Sequence, residues 1–199
     1  MDKAITFFID NYSDVKAVLE LDEHVREKLP QEIIKLLYKT LDADFHNWNW
    51  GGRDGTDHIA NYPDQKKEEI SWWDDRWVDQ KQERGTHFGL YPVSSSSLIE
   101  PDEDDRPFLY LYQSKSIRNL TEKALRKAIN DIQPKFEKSN MEFNKSDGEG
   151  TYLVKKFINE TISIERLKDP NVMCHDFLGH ARNFTETFAP IVNQVAGLA

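Results

Sequence analysis

Five tryptophans are the side chains in this chain best suited to recognising something. Trp48 and Trp50 sit together, and Trp72, Trp73 and Trp77 follow a long polar stretch. Trp73 and Trp77 are spaced to share a face if their segment is helical. An indole offers a flat apolar face and one N–H. Beside Arg76 or Arg84 such rings could stack a base, a sugar or a methylated cation. His58 and His87 could line the same region. The competing reading is core packing, the commoner fate of tryptophan.

The segment Cys174-His175-Asp176-Phe177-Leu178-Gly179-His180 brings two imidazoles, a carboxylate and the single cysteine together. His175 and His180 are five residues apart, off one helical face. A metal site needs three or more ligands, and no Asp follows Asp176. The plainer reading is a helix N-terminus with Asp176 in its first turn, where a negative charge meets the helix dipole. Cys174 has no evident base and orienting group beside it for nucleophilic attack. The His175-Asp176 pair resembles that of the HD-type metal phosphohydrolases. That resemblance implies His175, Asp176 and His180 as metal ligands, with metal-activated water attacking a phosphate ester.

A second resemblance joins Asp105 to Gln113-Ser114-Lys115. It is similar to the PD-(D/E)XK nucleases, which hold Mg²⁺ on an Asp and a second acidic or amide side chain and use a Lys to steady the phosphate. It implies Asp105, Gln113 and Lys115 as catalytic residues. The plain alternative is a polar strand end.

Charge argues against direct nucleic-acid binding. The 199 residues hold 26 Lys and Arg against 35 Asp and Glu, a net charge of -9. A polyanion would be repelled by the average surface, and no basic run offers it a face. Glu100, Asp102, Glu103, Asp104 and Asp105 form the densest acidic cluster. They read as a solvated loop or as a surface for a basic protein partner, such as the DNA channel of another protein. One cysteine forbids an intramolecular disulfide and suits a reducing compartment. The N-terminus lacks a signal-peptide pattern, and no apolar run approaches bilayer length. The expectation is a cytoplasmic protein without a membrane segment or cofactor.

The elements that would position these residues follow from periodicity. Ile5, Phe8, Ile9, Tyr12, Val15, Val18 and Leu19 have helical spacing. Pro30 suits the first position of a second helix, marked by Ile33, Ile34, Leu37, Leu41 and Phe45. Residues 51–69 read as a loop. Residues 86–93 and 107–113 read as strands, the second apolar on both faces and therefore central. Residues 94–97 read as a flexible turn. Asn119 to Glu122 has capping-box spacing before a helix carrying Leu125, Ala128, Ile129, Ile132 and Phe136. A hairpin turns at 146–150 between a strand from Met141 and one over 152–158. A Phe-rich helix closes the chain, and Pro190 should break or kink it near Phe188.

This order predicts an α+β fold: an antiparallel sheet with helices packed on one side, preceded by an N-terminal helical pair. A helical segment over 1–50 and an α+β domain over 70–199 would form one unit. The absence of alternating βαβ units with a Gly-rich phosphate loop argues against a doubly wound nucleotide fold. Ser71-Trp72-Trp73, Phe88-Gly89-Leu90-Tyr91, Phe108-Leu109-Tyr110-Leu111-Tyr112, Lys155-Lys156-Phe157 and Ala189-Pro190-Ile191-Val192 occur in an order similar to the C-terminal accessory region of some phage and bacterial PD-(D/E)XK nuclease family proteins. The resemblance covers about 70–197. It implies a stand-alone module of a phage, defence or mobile-element system without a catalytic core. The expected function is non-catalytic binding or regulation through Trp72, Trp73, Arg76, Trp77 and His87, with a protein partner or a small ligand. The alternatives are an acidic inhibitor of a DNA-binding protein and a metal-dependent nuclease or phosphohydrolase.

Overall fold

The computed structural model describes residues 9–45, 48–50, 59–62, 67–77, 85–103, 105–113, 122–136, 139–146 and 150–198. Among them, β3 (Lys67–Trp73), β4 (Thr86–Val93), β5 (Phe108–Gln113), β7 (Thr151–Phe157) and β6 (Met141–Ser146) pair in that order, each pair antiparallel. The short strands β1 (Asn49–Trp50) and β2 (Ile59–Tyr62) both pair with β3, on the edge away from β4. Both β5 and β6 oppose β7, so they run parallel to each other and need a crossover. Helix α3 (Glu122–Ile132) lies in that crossover. The fold is α+β, as periodicity predicted. The stretch 51–69, expected as a loop, instead contributes β2 and the start of β3; a polar run such as Lys67-Glu68-Glu69 hides the alternation that marks a strand.

Alternation on the central strands divides the sheet into two unlike faces. Ile70, Trp72, Phe88, Leu90, Leu109 and Leu111 join one core with Ile33, Leu37 and Leu41 of α1 (Tyr12–Asp44), Leu125 and Ile129 of α3, and Phe177, Phe184, Phe188 and Val192 of α4 (Pro170–Val195). The opposite face carries an aromatic and polar layer. Tyr110 donates to Glu69 Oε1 at 2.5 Å, and His87 lies edge-on to Tyr110 at 5.6 Å. Lys155 stands over the Phe108 and Tyr152 rings at 4.5 and 4.3 Å, a pair of cation–π contacts. Gly89 makes this layer possible: a Cβ there would lie 2.2 Å from Tyr110 Oη.

Helix α1 runs through Pro30 without a break, so Pro30 does not start a second helix. Proline removes the hydrogen bond that residue 30 would give to the carbonyl of residue 26. Ser95 Oγ donates to that Arg26 carbonyl instead. Ser95 opens α2 (Ser95–Ile99), a short helix where a flexible turn was expected; in its capping box Ser94 Oγ accepts from Ser97 N and Ser97 Oγ accepts from Ser94 N.

Helix α4 begins at Pro170, with Asp169 as N-cap accepting from Val172 N at 3.3 Å. Asp176 is therefore beyond the first turn, contrary to expectation, and it pairs with Arg166. The helix also continues through Pro190 to Val195. Pro190 is exposed, so its ring meets solvent, and the apolar stripe from Phe177 to Val192 stays on the core across the proline. No helix of the described residues is long and apolar enough to cross a membrane. The caps expected at Asn119 and the hairpin tip at 147–149 lie outside the described residues.

Candidate functional site

The tryptophan cluster is real, but its placement reverses the expectation for two of its members. The segment from Trp72 to Trp77 is not helical: β3 ends at Trp73, and Trp77 N bonds Asp74 O at 2.9 Å in a turn. Trp72 and Trp77 are both 0% exposed. Trp72 stacks on Phe88 at 6.1 Å and Trp77 meets the same ring tilted at 5.4 Å, and neither presents a ring to a partner. Trp73 and Trp48 are partly buried against the same core. Arg76 is engaged by Asp74 at 2.7 Å and by the Leu198 carbonyl at 2.9 Å. That pairing holds the Asp74 carboxyl below its ordinary pKa, mainly through the hydrogen bond. His87, 4% exposed, belongs to the layer on the far face of the sheet.

The other candidates are dispersed. Asp105 precedes β5 and accepts from Ser96 Oγ at 2.7 Å. Gln113 ends β5, so the whole strand, about 20 Å at 3.3 Å per residue, separates the two. Lys115 lies outside the described residues. Gln113 is 1% exposed and, with Thr86, has side-chain polar atoms without a partner among the described residues; it lies opposite Thr151 of β7. His175 is exposed on α4, whereas His180 turns inward to meet Lys156 Nζ at 3.2 Å. No group of three His, Cys, Asp or Glu among the described residues could hold a metal ion. Cys174 is buried. In the acidic run, Asp102 Oδ1 accepts from Asp105 N at 2.9 Å, which ties that loop into a turn.

What the tryptophans do build is a cleft. It opens between the C-terminal end of α1 and α4, with a volume of about 400 Å³. Asp44, Phe45 and Trp48 form one wall; Arg182, Thr185, Glu186, Ala189, Pro190 and Asn193 form the other. That volume is within the usual range for small-ligand and side-chain pockets, roughly 300–1,000 Å³. Trp48 sets its aromatic surface by packing edge-on against Phe45 and Trp77 at 6.3 and 5.5 Å.

The two buried indoles fix the α4 wall from behind. Trp72 Nε1 donates to Thr185 Oγ1 at 3.2 Å, and Trp77 Nε1 donates to Asn193 Oδ1 at 2.8 Å. A buried indole N–H needs an acceptor, and these bonds supply it. Across the cleft Arg182 donates from both Nε and Nη2 to Asp44 Oδ2, joining the two helices. This pairing, chiefly its hydrogen bond, raises the Arg182 pKa above its ordinary value, with a smaller contribution from Glu186. Among the described residues Glu186 has no ion-pair partner within bonding distance. The site therefore combines an aromatic wall, a cross-braced charge pair and polar groups held by second partners.

Sequence reasoning missed Arg182, Thr185, Ala189 and Asn193, although their spacings of three and four mark one stripe of α4. The stripe was legible; the cleft was not, because Asp44 and Trp48 complete it from the other end of the chain. No known protein family, curated protein or solved structure matches this chain.

Proposed function

We propose that this protein is a non-catalytic binding module that receives a segment of a protein partner in the cleft between α1 and α4. The observation that supports it is the cleft itself: about 400 Å³, walled by Trp48 and by α4 side chains that the indoles of Trp72 and Trp77 hold in place. The three rings thus divide the work, with one facing the occupant and two buried as supports. Fixed donors and a rigid aromatic are what a recognition pocket needs, because little ordering remains to be done on binding.

The test is selection of random peptides displayed against the intact folded chain. Enriched peptides should bind the unaltered protein and lose at least about tenfold in affinity for Trp48→Ala, a hot-spot-sized loss for a central aromatic. Circular dichroism checks that the variant folds. Peptides binding both proteins equally would remove the cleft as the recognition surface.

A further inference from the structure

The hydrogen-bond bookkeeping of the cleft says what its occupant offers. An indole N–H donates and cannot accept. Trp77 therefore fixes the Asn193 amide with Oδ1 toward the ring, which leaves Nδ2 as the group Asn193 can present. Trp72 likewise occupies an acceptor site on Thr185 Oγ1. The neighbouring Thr187 spends its hydroxyl hydrogen on the Asn183 carbonyl four residues back. Thr185 makes no such bond among the described residues, so its hydroxyl hydrogen remains to be given. Arg182 commits Nε and Nη2 to Asp44 and keeps Nη1. Three donors remain on this wall.

Pro190 supplies the opposite character. It has no N–H, so the Glu186 carbonyl four residues earlier loses its regular helical donor. Both residues line the cleft, and the Glu186 carboxylate is exposed beside them. The wall thus offers donors and acceptors close together. A carboxylate ligand would satisfy the donors but meet the negative charges of Asp44 and Glu186. An ammonium ligand would satisfy Glu186 and leave the donors without a partner, beside the positive Arg182. A neutral amide satisfies both sets: its carbonyl accepts and its N–H donates.

Resting on the reading of the cleft as a binding site, we infer that it recognises an uncharged amide carried on a flat or apolar group, with the amide against Thr185, Glu186 and Asn193 and the flat group on Trp48. A partner segment provides this as a peptide bond or as an Asn or Gln side chain.

Benzamide, benzoate and benzylammonium share one ring and differ only in the polar group, so they isolate this choice. Each is titrated into the intact chain while the indole N–H resonances of Trp48, Trp72 and Trp77 are followed by NMR. Benzamide should shift all three and bind at least about tenfold more tightly than the two ions, as expected where a site hydrogen-bonds its ligand at both ends. Asn193→Asp keeps the acceptor for Trp77 and removes the donor, so it should cut benzamide binding about tenfold while the Trp77 signal persists. If that variant fails to fold, the three probes on the unaltered chain still decide. Tighter binding of benzoate or benzylammonium at the same resonances would overturn the amide inference and leave the cleft as a binding site. No shift with any probe would overturn the amide inference, while peptide selection against Trp48→Ala would judge the cleft separately. A short peptide lacking Asn and Gln, compared with one carrying Gln, separates backbone from side-chain amide as the source.

Discussion

Lys156 Nζ and His180 Nδ1 meet at 3.2 Å between β7 and α4. A protonated lysine can only donate, so at neutral pH Nδ1 carries the lone pair and the imidazole proton sits on Nε2. The His180 pKa is lowered from its ordinary 6.5, first by burial and then by the Lys156 charge, with Asp176 opposing. Burial lowers the Lys156 pKa as well. The consequence for stability has a definite sign. The unfolded chain takes up a proton as pH falls through about 6.5, while the folded chain resists until a lower pH. Folding stability contributed by neutral His180 is therefore full above the unfolded value and is lost below it, down to the folded value. Urea melts at pH 7.5 and 5.5 should show a steeper loss for the native sequence than for His180→Gln. Lys156→Met should move the His180 pKa upward, read by NMR titration of its ring protons. Equal pH slopes for the native and His180→Gln proteins would show that the pair carries no such linkage.

Elements in this fold are tied together where their own hydrogen bonding is incomplete. The clearest case is α1, whose passage through Pro30 leaves the Arg26 carbonyl to Ser95 Oγ. This predicts an energetic coupling between Pro30 and Ser95, carried by a hydrogen bond that spans 69 residues. Ser95→Ala should cost roughly 0.5–1.5 kcal/mol, the usual net worth of one hydrogen bond. In a Pro30→Ala background the restored N–H of residue 30 serves the same carbonyl, and Ser95→Ala should then cost markedly less. A double-mutant cycle by chemical denaturation measures the difference, and strict additivity would sink this account of how the helix survives its proline. The same elements show how far local sequence reaches. Strands β4 and β5, the β6–β7 hairpin and α3 were legible because their alternation or periodicity is undisturbed by charge. Pro30 does not start a helix and Pro190 does not end one, because the compensation comes from tertiary structure: a serine on another helix in one case, a stripe held on the core in the other.

At the scale of the whole molecule, α1 changes character along its length. Val18, Leu19 and Leu21 are 65%, 58% and 63% exposed, whereas Ile34, Leu37 and Leu41 are 0% exposed. Sequence periodicity alone could not separate these halves, since apolar residues recur at helical spacing in both. What distinguishes them is whether α4 and β3 lie opposite, and that depends on chain closure across more than a hundred residues, as the Asp44–Arg182 bridge shows. The cleft was hidden for the same reason: the tryptophans announced an aromatic cluster, but only the closure of α1 on α4 determines which ring lines the cleft. The two halves should respond oppositely to substitution. Replacing Val18, Leu19 or Leu21 singly by Gln should change stability by no more than about 0.5 kcal/mol, because these side chains are solvated before and after folding. Leu37→Ala should cost about 2–5 kcal/mol, the transfer term plus the cavity left between α1 and the sheet. It should also weaken peptide binding in the cleft, because the same helix carries Asp44 and leads into Phe45 and Trp48. Denaturant melts of the four variants decide the point. A large loss from Val18→Gln or Leu19→Gln would mean that the outer half of α1 is covered in solution.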